Sequence, residues 1–266
     1  MTEKVKDTTV EKEDTSALKG KKIIAVISGT AGNGKTWFSI TLAHALSLFK
    51  QRTLLFDADN GLNNTKIQLG LDFINDLDTV IYGNRSLNQI IHPYGKGLFD
   101  IITGNSASSG LETMSIGRLQ ILGDDLDIIS QSYDKTILDI SSGLSETSKV
   151  LIGLAQKVII ICSDDPKQQI ENYEIIKHIS EHYPKTKIDI VFNLVNNIVD
   201  GERLYRVMEQ ACEEKISSSV CLLGIIRNDT RVRDSIRNHV SLLTRYPQSE
   251  AALDIVTTAK RLIENG

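Results

Sequence analysis

Gly29-Thr30-Ala31-Gly32-Asn33-Gly34-Lys35-Thr36 lies between an apolar run, Ile23-Ile-Ala-Val-Ile27, and a helical pattern from Trp37 to Phe49. The spacing is that of a phosphate-binding loop, and a strand before it with a helix behind it is the context such a loop requires. Glycine has no Cβ to hold backbone N–H groups away from phosphate oxygens, so the stretch from Thr30 to Gly34 can wrap an anion. The helix behind it, with Trp37 in its first turn, offers its positive end to the same charge. Lys35 is placed to neutralise the β- and γ-phosphates, and the Thr36 hydroxyl to ligate Mg²⁺. The chain is expected to bind a nucleoside triphosphate with Mg²⁺.

Bulk properties frame that reading. The 266 residues are 41% hydrophobic and 24% charged, which suits one α/β domain with a full core. A net charge of −4 argues against non-specific nucleic-acid binding. Cys162, Cys212 and Cys221 form no CxxC pair and read as thiols in a reducing compartment. Every apolar run ends short of a membrane-crossing length, and the first residues lack the apolar core of a signal peptide. A cytoplasmic location is expected. Residues 1–20, rich in Lys, Glu, Asp and Thr, read as a disordered tail. Residues 21–266 then form the phosphate-loop domain.

The rest of the chain alternates. Strands are expected at Thr53–Asp57, Leu98–Ile102, Lys135–Ile140, Lys157–Cys162, Lys187–Asn193 and Val220–Ile226, mostly as continuous apolar runs. Helices are expected from Ser115 to about Ser132, from Pro166 to about His182, and from Gly201 to about Glu214. Two more are expected at Arg231–Asn238 and Ser249–Glu264. Gly61 to about Ile91 reads as helical with little periodicity. The implied fold class is α/β: a mostly parallel sheet with helices on both faces. Ligands of such sheets sit at the carboxyl ends of the strands, where the loops at Gly29, Asp57, Asp139, Ser163 and Asn193 converge.

Two carboxylates stand at those ends. A phosphate-loop enzyme needs one that holds Mg²⁺ beside the loop, and Asp139, in Ile137-Leu-Asp-Ile-Ser-Ser-Gly143, fits, with Gly143 able to turn a backbone N–H toward the γ-phosphate. Hydrolysis also needs a group that positions the attacking water. Asp59, in Asp57-Ala-Asp-Asn-Gly61, is the candidate, beside the metal as well, although the same composition favours a turn.

Taken in order, the loop, the segment Asp57-Ala-Asp-Asn-Gly-Leu-Asn-Asn64 and the Asp139–Gly143 strand end resemble the MinD/ParA ATPases. Leu69-Gly-Leu71 and Pro247-Gln-Ser-Glu-Ala251 add to the likeness and draw it toward the flagellar-number regulators of the FlhG/FleN type. The resemblance covers about residues 22–264. It implies that ATP and Mg²⁺ are the ligands, that Asn193 and the Gly224-Ile-Ile-Arg227-Asn-Asp229 loop meet the adenine, and that the chain dimerises around ATP and hydrolyses it. It further implies a signal-recognition-type flagellar GTPase, flagellar switch proteins or a transcription activator as partners, and recruitment to a cell pole.

Three departures qualify it. The family's loop carries an early lysine that reaches the partner subunit's phosphates; here Thr30 stands there, and a short neutral hydroxyl supplies no cation. Weak hydrolysis is expected. The last helix carries apolar residues at Ala252, Ile255, Val256, Ala259, Leu262 and Ile263, a spacing that any packed helix shows, which argues against membrane binding. The stretch before Lys22 lacks the activation segment with which such regulators stimulate the partner GTPase. Two readings stay open beside the switch. One is a nucleotide-bound adaptor without turnover. The other is a ParA-type partition protein that holds DNA through Arg231, Arg233 and Arg237, which Asp229 and Asp234 dilute.

Overall fold

The computed structural model describes residues 22–59, 64–72, 76–104, 110–216 and 218–265. The expected tail and Asn60–Asn63 of the acidic segment lie outside them. Aliphatic runs without polar alternation make strands that need cover on both faces. Among the described residues these are β1 (Ile23–Ile27), β2 (Thr53–Asp57), β3 (His92–Tyr94), β4 (Phe99–Ile102), β5 (Lys135–Asp139), β6 (Lys157–Cys162), β7 (Lys187–Val195) and β8 (Cys221–Arg227). They form one sheet in the order β3-β4-β2-β5-β1-β6-β7-β8. Every ladder is parallel except that between β3 and β4. From β1 the chain runs to β2 on one side, and from β5 it crosses to β6 on the other side of β1, a switch of direction that opens a crevice at the carboxyl ends of these strands.

Helices cover both faces. On one side α4 (Ile116–Ser130), α5 (Glu146–Leu154), α6 (Pro166–His182) and α7 (Ile198–Ile216) bury Leu122, Leu126, Leu151, Ile176 and Met208. On the other α1 (Lys35–Leu48), α9 (Leu242–Arg245) and α10 (Glu250–Glu264) bury Phe38, Leu42, Leu243, Ile255 and Ala259. The short α2 (Thr65–Leu69), α3 (Leu77–Ile81) and α8 (Thr230–Arg237) flank the crevice and the sheet edge. Starts are capped: Pro166 opens α6 behind Asp165, and Ser249 accepts from the Ala252 N–H at 3.3 Å.

The mostly parallel α/β sheet matches the sequence expectation, and α10 is a core helix with Ala252, Ile255, Ala259 and Leu262 buried. Strand β3 and helices α5 and α9 were not anticipated. The expected helical stretch from Gly61 to Ile91 resolves, where described, into α2, α3 and a 3-10 turn at Leu87–Ile90. Pro93 is accepted in β3 because the strand is at the sheet edge. No helix among the described residues is long and apolar enough to cross a membrane.

Candidate functional site

The loop leaves the end of β1 and is braced from below. Gly29 N–H donates to Asn172 Oδ1 at 2.7 Å, and Ser28 Oγ donates to the Thr30 carbonyl at 2.7 Å. Asn33 Nδ2 donates to the Ile161 carbonyl at 3.0 Å, while Asn193 Nδ2 donates to the Asn33 carbonyl at 2.8 Å. Leu194, with φ 62°, sits where the β7–β8 register slips, so an irregular strand end carries Asn193 to the loop. Gly34 has φ 85°, and a Cβ there would stand 2.6 Å from Asn193 Nδ2. Both geometry and space therefore require glycine. Four side chains and a strand end hold this turn rigid before any ligand arrives.

Above it opens a cleft of about 560 Å³, walled by Gly32, Lys35, Thr36 and Trp37 on the loop side and by Asp59 and Ser142 opposite. That volume suits a small-molecule ligand. Lys35 is buried; its Nζ donates to Ser142 Oγ at 2.9 Å and lies 3.6 Å from Asp59 Oδ2. Asp139 and Asp57 are register partners on β5 and β2. Burial, then the charge of Asp57, pushes the Asp139 carboxyl up to about 7, against the pull of Lys35. Burial likewise lifts Asp57 to about 6, although hydrogen bonds from Thr65 restrain it. Asp57 is a brace: it accepts from the Thr65 N–H at 2.7 Å and from Thr103 Oγ1 at 3.1 Å. Asp139 accepts from Ser39 Oγ at 3.1 Å through one oxygen, and its Oδ2 has no hydrogen-bond partner among the described residues.

Of the residues expected at this site, Ala31, Gly32, Gly34, Lys35, Thr36, Trp37 and Asp59 line the cleft. Three residues expected at the adenine make contacts within the protein. Asn193 is buried under the loop. Arg227 makes a two-pronged contact with Asp254 at 2.9 and 3.0 Å and reaches Glu250 at 2.6 Å. Asp229 caps α8 by accepting from the Arg231 N–H at 2.9 Å. The Gly143 N–H is spent on the Ser28 carbonyl at 2.9 Å, so it does not point at a phosphate. Sequence reasoning missed Ser142, Gln68, Arg233 and Ile236 on the cleft walls. Arg233 was weighed only as a DNA contact. Helix α8 brings it to the loop, a long-range placement that no local motif carries.

A family model described as the CobQ/CobB/MinD/ParA nucleotide binding domain matches residues 24–242. The chain belongs to the MinD/ParA family. It is 26% identical over 244 residues to the antiactivator FleN of Pseudomonas aeruginosa, across 91% of this chain and 86% of that protein. It is 26% identical over 217 residues to the flagellum site-determining protein YlxH of Helicobacter pylori, across 81% and 73%. Among solved structures, the cell division ATPase MinD of Pyrococcus furiosus superposes with a TM-score of 0.76 at 18% identity, across 92% of this chain and all of that one. The MinD/ParA fold is thereby shown, and its likeness runs toward the FleN and FlhG branch. A MinD from Pyrococcus horikoshii was solved with Mg-ADP at a TM-score of 0.73.

The MinD/ParA site here fits such a ligand on its own evidence. Asp139 Oδ2 has no hydrogen-bond partner among the described residues, so it is open to accept a cation. No group of three or more acidic, His or Cys residues forms a cage among the described residues. Mg²⁺ keeps waters and takes one or two protein ligands plus phosphate, a demand that Thr36 and Asp139 could meet.

Proposed function

We propose that this chain is an ATP-driven regulatory switch of the FleN and FlhG kind, hydrolysing ATP slowly and passing between monomer and ATP-bound dimer. The supporting observation is Lys35 and Asp59 in the cleft, 3.6 Å apart, with Asp139 buried near enough to feel both charges and one of its carboxylate oxygens unclaimed. Lys35 would take the β- and γ-phosphates and release Ser142. Thr36 and Asp139 would hold Mg²⁺, which supplies charge neutralisation on the same phosphates when bound. Asp59, at the exposed end of β2, would orient the water that attacks the γ-phosphorus. Loss of the loop's early lysine at Thr30 removes a cation from the developing charge, so turnover is slow.

The names of the relatives support a reading in flagellar control. FleN is called an antiactivator and YlxH a flagellum site-determining protein. The proposed partners follow: a second copy of the chain, and a signal-recognition-type flagellar GTPase, switch proteins or a transcription activator, met in the cytoplasm and at a cell pole. Helix α10 buries Ala252, Ile255, Ala259 and Leu262 in the core, so that apolar face is not offered to a membrane.

Phosphate release and molar mass, measured together in Mg²⁺-ATP, test this. Slow release that Lys35→Ala and Asp59→Ala abolish, with a dimer accumulating in Asp59→Ala, is the expected result. Tight ATP binding with neither release nor change in mass overturns it in favour of a nucleotide-bound adaptor, the reading that Thr30 favours.

A further inference from the structure

At the opposite end of the sheet, four adjacent strands begin with lysine. Lys135 opens β5, Lys22 precedes β1, Lys157 opens β6 and Lys187 opens β7. The register puts all four on one face. Ile23 pairs with Thr136, so Lys22 stands beside Lys135; Ile24 stands opposite Lys157, and Lys157 opposite Lys187. Ladder neighbours share a face, and so do residues two apart on one strand. All four lysines, with Ile24 and Leu262 of α10 as an apolar wall, line a pocket of about 30 Å³.

The charge in it is one-sided. Lys157 pairs with the buried Asp189 at 2.8 Å. Lys22, Lys135 and Lys187 make no ion pair among the described residues. Burial and the charges of Lys157 and Lys22 hold the Lys135 ammonium below its ordinary pKa, with Asp134 opposing. The pocket is about 20 Å from the phosphate loop along β1, taking roughly 3.3 Å per residue.

We infer that this lysine row binds a dianionic oxyanion, a phosphate or phosphate monoester group, at a site separate from the nucleotide cleft. Three unpaired ammonium groups call for more than one negative charge. Ammonium groups are compact point charges that suit phosphate oxygens. At about 30 Å³ the pocket has no room for a base, so only the anionic group itself would enter between the lysines. The partial burial of Lys22 and Lys135 strengthens their contacts relative to open solvent.

The test uses the full chain saturated with Mg²⁺-ADP, so that the loop cleft is filled. Inorganic phosphate is titrated by calorimetry at constant ionic strength, with chloride as control. A saturable phosphate site is expected. It should weaken about tenfold or more in Lys135→Gln and in Lys187→Gln, since each removes a charge-assisted contact, and persist in Lys35→Ala. Lys157 is left intact, because breaking its buried pair would destabilise the fold. Lys187 is exposed, so its variant should fold as the parent does. Co-sedimentation with phosphatidic acid vesicles, against phosphatidylcholine, tells the source of the group. Binding that free phosphate competes away marks a lipid phosphate, and saturable phosphate without vesicle binding marks the free ion. No saturable binding, equal binding by both lysine variants and the parent, or loss only in Lys35→Ala overturns the proposal.

Discussion

Thr30 tests the chemistry at the residue scale. Its Oγ1 is buried without a hydrogen-bond partner among the described residues, so replacing it costs no existing bond. Thr30→Lys restores a cation at the phosphates, and the steady-state ATPase rate should rise by about tenfold or more, as charge stabilisation in a closed site allows. An unchanged rate would show that the loop's early position is not what limits turnover. Asp139 gives a second prediction. Its folded carboxyl titrates at about 7 against an ordinary 3.8. Between those values the folded chain holds more protons than the unfolded one, so this group's stabilisation falls as pH rises. Denaturant melts of the nucleotide-free protein should show that decline between pH 4 and 7, and Asp139→Asn should lessen it, leaving the smaller share of Asp57, lifted to about 6. Saturating Mg²⁺-ADP should lessen it too, because Mg²⁺ takes the deprotonated carboxylate. Much of the site was legible at this scale, since loop spacing and strand-end carboxylates are local features. Ser142 and Arg233 were not, because their roles depend on where β5 ends and how α8 folds back.

Elements explain which parts of the fold could be read. Continuous apolar runs made β1, β2, β5 and β6 plain, and Pro166 after Asp165 marked the start of α6. Helix α5 hid behind a polar first turn, Glu146-Thr-Ser-Lys149, although Ser145 caps it and Leu151 and Ile152 are buried. Strand β3 was hidden by length and by Pro93, permitted only because that edge needs no ladder donor there. The Gly224–Asp229 segment was read as an adenine loop. In the structure Arg227 fastens the end of β8 to α10 through Asp254, whose side chain is only 10% exposed. Removing one partner strands a carboxylate, so Arg227→Ala should destabilise the fold by about 1–2 kcal/mol. Equilibrium urea denaturation measures it. If stability is unchanged while nucleotide affinity drops, Arg227 serves the ligand and not the helix.

At the scale of the whole molecule, the site joins parts that are distant in sequence. The loop follows β1, its braces come from α6 and β7, Asp139 ends β5, and Arg233 stands on α8. A ligand that spans the cleft therefore ties both halves of the sheet and the helices on either face. Binding to the folded state alone adds about 2.7 kcal/mol at a hundredfold excess over the dissociation constant. For a chain of this size that raises the melting temperature by about 5–10 °C. Mg²⁺-ADP should produce this shift, and Lys35→Ala should abolish it. Arg233→Ala should reduce it while leaving the ligand-free melt unchanged, because Arg233 is exposed and makes no ion pair among the described residues. A full shift in Arg233→Ala would confine the nucleotide to the loop wall of the cleft and leave α8 as surface.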